Sequence, residues 1–250
     1  MNATAFITGA SSGFGRGFAL KLAADGYGVA LAARRVDRIE SVAEEIRVGG
    51  GAAIACPCDV AEPSQIREAV ARTETELGPV DLLIANAGVS ARTLVQSFDA
   101  DEVEWVTRVN YLGAVHAVGA VLPGMLERDR GQLVAIGSLA GYSGLPRTAA
   151  YGASKAAVYN FFESLRIDLR GTGVDVTVIT PGYVRSELTD KNEHPMPYLM
   201  EMDDAVDRMV RAIRARKRHV AFPRPLSTLA WIGQVMPRGI YDRLAARQPR

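Results

Sequence analysis

The chain contains few of the residues that usually bind metals. Its 250 residues include only two cysteines, Cys56 and Cys58, and three histidines, which are scattered along the sequence. Because the ligands of a metal site recur at short, characteristic spacings, we predict no metal site. Pro57 separates the two cysteines at the end of an apolar stretch, and we interpret both as small apolar residues near the edge of a sheet.

The chain also lacks an excess of charge of either sign. It has 29 lysine and arginine residues against 28 aspartate and glutamate residues, a net charge of +1. Nothing in this balance indicates a nucleic-acid partner. The first apolar stretch begins at residue 3 and leaves no room for a signal peptide, so we expect a cytoplasmic protein. With 48 % hydrophobic residues, the chain can bury one substantial core.

Short apolar stretches alternate with helical stretches along the chain. This alternation is typical of a doubly wound α/β fold, a parallel sheet of about seven strands with helices on both faces in three layers. In such a sheet, ligands bind at the carboxyl ends of the strands. The predicted strands are 3–8, 28–33, 52–57, 81–85, 132–137, 174–180 and 218–222. The predicted helices are 14–25, 36–47, 63–77, 99–128, 149–170 and 203–215.

A glycine-rich turn follows the first strand. Glycines at 9, 13 and 15 lie between this strand and a helix, with the spacing Gly-x-x-x-Gly-x-Gly. Glycine lets the backbone turn sharply and approach a ligand closely. The helix that follows would direct free N–H groups and the positive end of its dipole at an anion, so the turn predicts a phosphate site.

A tyrosine and a lysine lie four residues apart in a predicted helix. Tyr151 and Lys155 would share one helix face, where the ammonium can favour the ionised phenol. Ser138 follows a strand 13 residues upstream, and its hydroxyl can hydrogen-bond to a substrate oxygen. This group of residues predicts a tyrosine that works as an acid or a base.

Together these residues resemble the short-chain dehydrogenase/reductase family, in its single-domain branch of about this length. The resemblance runs from residue 3 to about residue 222. It rests on Thr8 to Gly15, Asp59, Asn86 to Gly88, Asn110, Ser138, Tyr151 with Lys155, and Pro181-Gly182. It implies a Rossmann-like fold and hydride transfer between a nicotinamide cofactor and a carbonyl compound or secondary alcohol. We assign residues 1–222 to one catalytic domain and residues 223–250 to a C-terminal helical extension of it.

The resemblance implies a role for each matching residue. The catalytic residues would be Asn110, Ser138, Tyr151 and Lys155, with Tyr151 as the acid/base, Lys155 lowering its pKa and Asn110 supporting a proton relay. The alternative for Asn110 is a helix-interior amide, and Asp59 could cap a helix rather than bind adenine. The expected cofactor-binding residues are Gly9, Ser11, Ser12, Gly13, Phe14, Gly15, Arg34, Arg35, Asp59, Val60, Asn86, Ala87, Gly88, Tyr151, Lys155, Pro181, Gly182, Val184 and Ser186.

The end of the second strand predicts the choice of cofactor. Ala33 stands where an enzyme that takes NAD usually has an acidic residue. Arg34 can pair with the 2'-phosphate of NADP through its planar fork, and Arg35 can assist. The alternative is that both arginines are solvated charges at the start of a helix. We predict NADP(H) in preference to NAD(H).

The remaining expectations concern the substrate and the assembly. The segments 89–95, 139–148 and 183–200 are rich in apolar residues and would line a pocket for a mainly apolar carbonyl compound or alcohol.

The helices 99–128 and 149–170 have long apolar faces, which in relatives pack against a second subunit. We therefore expect a homodimer or homotetramer.

The tail after Phe222 has apolar residues at helical spacing, and Pro237 should divide it into two helices. We expect the tail to pack on its own subunit or on a partner. The alternatives are disorder and contact with a membrane surface. Membrane contact would be supported by Arg224, Arg238, Arg243, Arg247 and Arg250.

Two alternative functions come from other classes. Residues 9–13 match the Gly-x-Ser-x-Gly pattern of a serine hydrolase with Ser11 as nucleophile, which would need a partner among His116, His194 and His219. The second alternative is a non-catalytic NADP-binding sensor on the same fold. Such proteins tend to lose the tyrosine or the lysine, and this chain retains both.

Overall fold

The computed structural model describes residues 3–187, 189–190 and 195–246. Part of the predicted pocket wall, at 188 and 191–194, and the tail residues Arg247 and Arg250 lie outside the described residues. The strands are β1 (Thr4–Thr8), β2 (Gly28–Ala33), β3 (Ala53–Pro57), β4 (Val80–Ala85), β5 (Gly131–Ile136), β6 (Val174–Pro181) and β7 (His219–Phe222). The α-helices are α1 (Gly13–Ala24), α2 (Val36–Val48), α3 (Pro63–Glu76), α4 (Ala100–Thr107), α5 (Gly113–Glu127), α6 (Ala149–Asp168), α7 (Met202–Arg214), α8 (Arg224–Val235) and α9 (Arg238–Ala245).

The strands form one parallel sheet in the order β3-β2-β1-β4-β5-β6-β7. The strand order reverses between β1 and β4, and this switch point is where such sheets bind ligands. Successive residues of a strand point to opposite faces. Ile7 therefore packs in one core cluster and Phe6 in another, each covered by helices. The predicted doubly wound, three-layer fold is confirmed, and most element boundaries agree within a residue or two.

One predicted helix differs from the structure. The stretch predicted as a single helix over 99–128 is α4 and α5 joined by a π-helical turn, Arg108–Leu112. Asp99 begins the run as a side-chain cap, because its Oδ1 accepts from the backbone N–H of Asp101 at 2.9 Å. A π turn widens the helix and is common at functional sites. Apolar periodicity did not reveal it, because the turn alters the pattern by a single residue.

The helical run Ala100–Glu127 is long and apolar enough to cross a membrane by length and composition alone, with a mean hydropathy of 1.4 in its most apolar window. About half of that window, 44 %, is buried. Ala117, Val118 and Val121 on the inner face of α5 belong to the core on that side of the sheet. The apolar character of this run therefore reflects, at least for α5, packing against the sheet.

Both cysteines are buried free thiols; Cys56 lies in the edge strand β3 and Cys58 follows its last residue. Burial raises the pKa of Cys58 to about 12. A thiol with so high a pKa stays protonated and unreactive at neutral pH, which agrees with its interpretation as a small apolar residue.

The tail forms two helices, with Pro237 between α8 and α9 as predicted. Its inner side packs on its own subunit. Leu226 fills the space above Gly182, where a Cβ would lie 2.7 Å from its Cδ2 atom. The hydroxyl of Tyr241 donates to the carbonyl oxygen of Gly144 at 2.7 Å. The tail thus covers the loop that follows β5.

Candidate active site

The four predicted catalytic residues come from three elements. Ser138 follows Gly137 after the end of β5, Tyr151 and Lys155 lie in the first two turns of α6, and Asn110 lies in the π turn. A side-chain hydrogen bond joins Ser138 to Tyr151. The Ser138 hydroxyl also accepts from the N–H of Ala140 at 3.2 Å. The two hydroxyls that were predicted to act on one substrate oxygen therefore lie side by side.

Burial dominates the protonation of Tyr151. It raises the pKa of the phenol above its ordinary value, and the hydrogen bond with Ser138 works in the opposite direction. The lowering expected from Lys155 is not seen in this structure. The Lys155 ammonium lies 5.9 Å from the centre of the tyrosine ring and donates to the carbonyl oxygen of Ile136 at 2.8 Å.

Lys155 is itself buried, at 5 % exposure. Loss of hydration lowers its pKa to about 8. The side chain is therefore mostly charged at neutral pH, although its ammonium contacts little water. A buried cation with a spare donor is suited to bind the hydroxyl groups of a ligand.

The Asn110 side chain ties three segments together. Its Oδ1 accepts from the N–H of Val89 at 2.7 Å, and its Nδ2 donates to the carbonyl oxygen of Val89 and to the hydroxyl of Ser154, both at 2.9 Å. A Cβ on Gly88 would lie 3.3 Å from the Lys155 ammonium and 3.4 Å from Asn110 Oδ1. Asn110 therefore holds the loop after β4 beside the lysine, and its amide does more than fill a helix interior.

The glycine turn is shaped by close backbone contacts. Gly9 and Gly13 have φ angles of +67° and +53°, which favour glycine. A Cβ on Gly9 would lie 2.8 Å from the Cα of Ala87, and one on Gly15 would clash with the carbonyl oxygen of Gly9. The turn therefore lies directly against the loop that follows β4.

Thr8 organises this junction, and we did not predict it as a site residue. Its buried hydroxyl accepts from the N–H groups of Asn86 at 3.0 Å and Ala87 at 3.1 Å. The Asn86 amide donates to the carbonyl oxygen of Thr8 at 2.8 Å. The signal available in the sequence was a hydroxyl residue at the last position of the strand, directly after an apolar run and before the glycine turn.

The start of α1 fits a cofactor phosphate. Ser12 is the N-cap residue, but its side chain makes no capping bond. Its hydroxyl instead accepts from Arg35 at 2.6 Å, and Ser11 accepts from the same guanidinium at 2.9 Å. The side chain of Ser12 therefore does not cap the first-turn N–H groups of α1. The guanidinium of Arg35 lies beside this turn. Phe14 packs half-buried against the core below.

Arg34 and Asp59, which the resemblance places beside the adenosine of the cofactor, lie near each other. The Nη1 of Arg34 is 3.8 Å from Oδ2 of Asp59. Asp59 Oδ1 accepts from the N–H of Ala61 at 3.0 Å, whereas the N-cap of α3 is Glu62. Asp59 therefore does not cap this helix, and Val60 beside it is buried.

Arg38 and Glu187 also lie near Arg35 at the start of α2, and neither was predicted from the sequence as a site residue. Arg38 donates to Oε1 of Glu187 at 2.6 Å, and Arg35 donates to Oε2 at 3.0 Å. These hydrogen bonds lower the pKa of Glu187. Arg38 stands one helical turn beyond Arg34, which was a usable signal. Glu187 lies 149 residues from Arg38 in the sequence, and no sequence pattern pointed to this contact.

The opposite end of the site is built from the end of β6. Pro181 completes the strand, and the N–H of Gly182 donates to the carbonyl oxygen of Phe222 at 2.7 Å. Val184 is buried and forms a bridge with Met200. The Ser186 hydroxyl lies 3.3 Å from that of Thr189.

The hydrolase alternative lacks its partner among the described residues. The Ser11 hydroxyl accepts from Arg35. Of the histidines, His116 bonds to the carbonyl oxygen of Val60, and His219 bonds to Tyr142 and Thr180. His194 lies outside the described residues. Neither described histidine is in place to activate Ser11.

Comparisons with known proteins agree with this geometry. The family model for short chain dehydrogenase matches residues 3–197. An uncharacterized oxidoreductase from Myxococcus xanthus (strain DK1622) is 43 % identical over 244 residues, which cover 98 % of this chain and 96 % of that protein.

Two solved structures have the same fold. A short chain dehydrogenase/reductase from Burkholderia phymatum in complex with NAD gives a TM-score of 0.87 at 26 % identity, covering 100 % of this chain and 96 % of that chain. An alcohol dehydrogenase from the archaeon Thermococcus sibiricus, complexed with 5-hydroxy-NADP, gives 0.80 at 25 % identity, covering 89 % and 96 %. The similar structures thus include one with NAD and one with an NADP derivative.

Proposed function

This chain belongs to the short-chain dehydrogenase family of oxidoreductases, and from that premise we propose that it is an NADP(H)-dependent enzyme that interconverts a mainly apolar carbonyl compound and the corresponding secondary alcohol. A nicotinamide cofactor is supported by the similar structures. The observation that carries the proposal is the hydrogen-bonded pair Ser138 and Tyr151, with Lys155 one helical turn away on α6.

Each residue has a separate task in this reaction. When bound, the nicotinamide supplies hydride to the carbonyl carbon or accepts it from the alcohol. The Ser138 hydroxyl hydrogen-bonds to the substrate oxygen. Tyr151 donates its proton to that oxygen during reduction and takes it back during oxidation. A raised pKa keeps the phenol protonated at neutral pH, which is the form required for reduction.

Lys155 and Asn110 support the tyrosine. The Lys155 ammonium would bind the ribose hydroxyls and, once there, favour negative charge on Tyr151. Asn110 fixes the loop at Gly88 beside this ammonium through its bonds to Val89. The π turn at Asn110 would supply a backbone group for the proton relay.

The preference for NADP(H) is supported by the end of β2. Ala33 provides no carboxylate for a ribose 2'-hydroxyl. Arg34, Arg35 and Arg38 give this edge three cations, and a guanidinium binds phosphate in a bidentate manner. The hydroxyls of Ser11 and Ser12 hold Arg35 in place.

The proposed substrate is apolar because of the residues beside Ser138 and at the start of the segment after β6. Leu139 is buried immediately after the serine, and a Cβ on Gly182 would lie 3.4 Å from its Cδ1 atom. Tyr183 and Met200, which are joined by a backbone hydrogen bond, lie on the segment that Gly182 begins. Most binding pockets for such molecules combine apolar walls with a few polar groups. Here Ser138 and Tyr151 would be those polar groups.

We also propose a cytoplasmic homodimer or homotetramer. Two free, buried thiols suit a reducing compartment. Trp105 and Leu112 are exposed by 41 % and 36 % along α4 and the π turn, and Ile167 by 62 % at the end of α6. Large apolar side chains in water favour burial against a second subunit.

The test is a screen of NADPH oxidation against aromatic, aliphatic and steroid carbonyl compounds, with the reverse reactions on alcohols. Wild type should turn over at least one apolar carbonyl compound. Tyr159→Phe, on the same helix two turns away, serves as the control for Tyr151→Phe. Tight binding of NADPH without turnover of any compound would favour the sensor alternative. Hydrolysis of an activated ester that is lost in Ser11→Ala would favour the hydrolase.

A further inference from the structure

Arg35 is positioned before any ligand arrives. Its Nε and Nη2 atoms donate to the hydroxyl of Ser11 at 3.1 and 2.9 Å, and Nη2 also donates to Ser12 at 2.6 Å. The guanidinium therefore lies against the glycine turn at the start of α1. Its Nη1 atom points away from the turn and donates to Oε2 of Glu187 at 3.0 Å.

Glu187 lies between two guanidinium groups. Its second carboxylate oxygen accepts from Nη1 of Arg38 at 2.6 Å. The two arginines belong to the start of α2, whereas Glu187 belongs to the segment after β6, 149 residues beyond Arg38 in sequence. Two guanidinium groups that share one carboxylate in this way form a site that can bind another anion in its place, such as a phosphate.

The surroundings leave room for a larger anion. A cavity of about 340 Å³ opens beside this contact. It is lined by Ser11, Arg16, Asp37, Arg38, Ser41 and Val42. Asp37 is the one acidic group in this lining, against the two arginines. The Glu187 side chain is 58 % exposed, so it can leave without a large loss of burial.

We propose that Glu187 is an internal substitute for the 2'-phosphate of the cofactor, and that Arg38 joins Arg35 in recognising that phosphate. This inference rests on the proposed preference for NADP(H). Without cofactor, the carboxylate keeps the two guanidinium groups paired near Ser11. To bind, the 2'-phosphate has to displace this carboxylate. The protein therefore binds the phosphate more weakly than it would if Arg35 and Arg38 were not paired with Glu187.

The test measures binding of 2',5'-ADP and 5'-AMP by calorimetry, so it does not depend on turnover. 5'-AMP differs from 2',5'-ADP only in lacking the 2'-phosphate, and it reports on the rest of the site. Removing the competing charge in Glu187→Gln should tighten 2',5'-ADP binding about two- to fivefold, the size expected for an exposed ion pair. Binding of 5'-AMP should not change. Glu201→Gln removes a similar exposed charge, paired with Arg185, and should alter neither.

Arg38→Gln should weaken 2',5'-ADP binding about tenfold or more, because it removes a charge-assisted contact to phosphate. Arg47→Gln, at the other end of the same helix, is its control. Adding Glu187→Gln to Arg38→Gln should give a smaller gain than Glu187→Gln gives alone.

Three outcomes separate the possibilities. Unchanged or weaker 2',5'-ADP binding in Glu187→Gln overturns the substitute role, because the carboxylate would then be neutral or supporting. Equal losses of affinity for 5'-AMP and 2',5'-ADP in Arg38→Gln overturn the role of Arg38. If wild type and Glu187→Gln both bind 2',5'-ADP no better than 5'-AMP, the proposed preference for NADP(H) itself fails.

Discussion

The ammonium of Lys155 lies 5.9 Å from the centre of the Tyr151 ring, and its hydrogen bond goes to the main chain at Ile136 rather than to the phenol. The two side chains share one face of α6, as a spacing of four residues requires. The lysine is therefore close enough to influence the phenol electrostatically, yet free to bind another oxygen. In the proposed reaction, Tyr151 would therefore transfer the proton while Lys155 binds the ligand.

Tyr151→Phe tests the acid/base role. The substitution removes only the oxygen that carries the proton, so turnover of a confirmed substrate should fall by about a hundredfold or more, within the range expected for general acid catalysis. NADPH binding, measured by fluorescence titration, should stay within about twofold of wild type, the scatter allowed by the loss of one neutral hydrogen bond. Retention of most of the activity would show that another group transfers the proton.

The buried lysine predicts a dependence of stability on pH. Because burial lowers the pKa of Lys155 to about 8 from 10.5, the unfolded chain binds more protons between these values, and stability rises with pH there. Lys155→Met lacks this contribution. From pH 8 to pH 10, the free energy of unfolding of wild type should rise by about 2 kcal/mol relative to that variant.

Urea denaturation at several pH values measures this difference in cofactor-free protein. Lys217→Met, which replaces an exposed lysine, should follow the wild-type curve. If the Lys155→Met and wild-type curves run parallel, Lys155 has an ordinary pKa in the folded protein.

Arg34 predicts a difference between the two cofactors. Arg34→Gln should weaken NADPH binding about tenfold or more, the contribution of one charge-assisted hydrogen bond, and NADH binding much less. Its present neighbour is Asp59, at 3.8 Å, so the side chain is free to move to a phosphate. Equal losses for both cofactors would mean that Arg34 only supports the adenine side. A preference of wild type for NADH would contradict the cofactor assignment.

The sequence predicted the sheet well, and it placed Tyr151 and Lys155 on one helix face, for a physical reason. Buried parallel strands need continuous apolar runs, and the position of Lys155 relative to Tyr151 is set by local helical spacing. Contacts between distant segments left no such pattern. Arg38 and Glu187 meet only after β6 has been placed in the sheet, and the π turn around Asn110 shifts the apolar pattern of the helix by only a single residue.

The exposed apolar residues of α4 and the π turn predict assembly. If they form a subunit interface, the double variant Trp105→Glu with Leu112→Glu should become a monomer in sedimentation at micromolar concentration, because charges would be buried without partners. Val48→Glu is the control, since Val48 is 79 % exposed on α2. A wild-type monomer under the same conditions would refute the expected dimer or tetramer.

The tail predicts an effect on substrate but not on cofactor. Tyr241 donates to the carbonyl oxygen of Gly144, in the loop between Ser138 and Tyr151. Tyr241→Phe removes this bond, and we expect the KM for substrate to rise about two- to tenfold, corresponding to one ordinary hydrogen bond, while the affinity for NADPH stays constant. Truncation after Phe222 should change substrate affinity or assembly more strongly.

A variant on the outer face of α8 serves as the comparison for these changes to the inner side of the tail. Leu229, Trp231 and Val235 are exposed on that outer face. Trp231→Ser leaves the inner contacts of Leu226 and Tyr241 in place. If this variant and the truncated protein keep wild-type kinetics and oligomeric state but no longer sediment with anionic lipid vesicles, the tail serves a membrane surface rather than the substrate entrance. If both lose substrate affinity or assembly without any binding to vesicles, the tail acts within the enzyme itself.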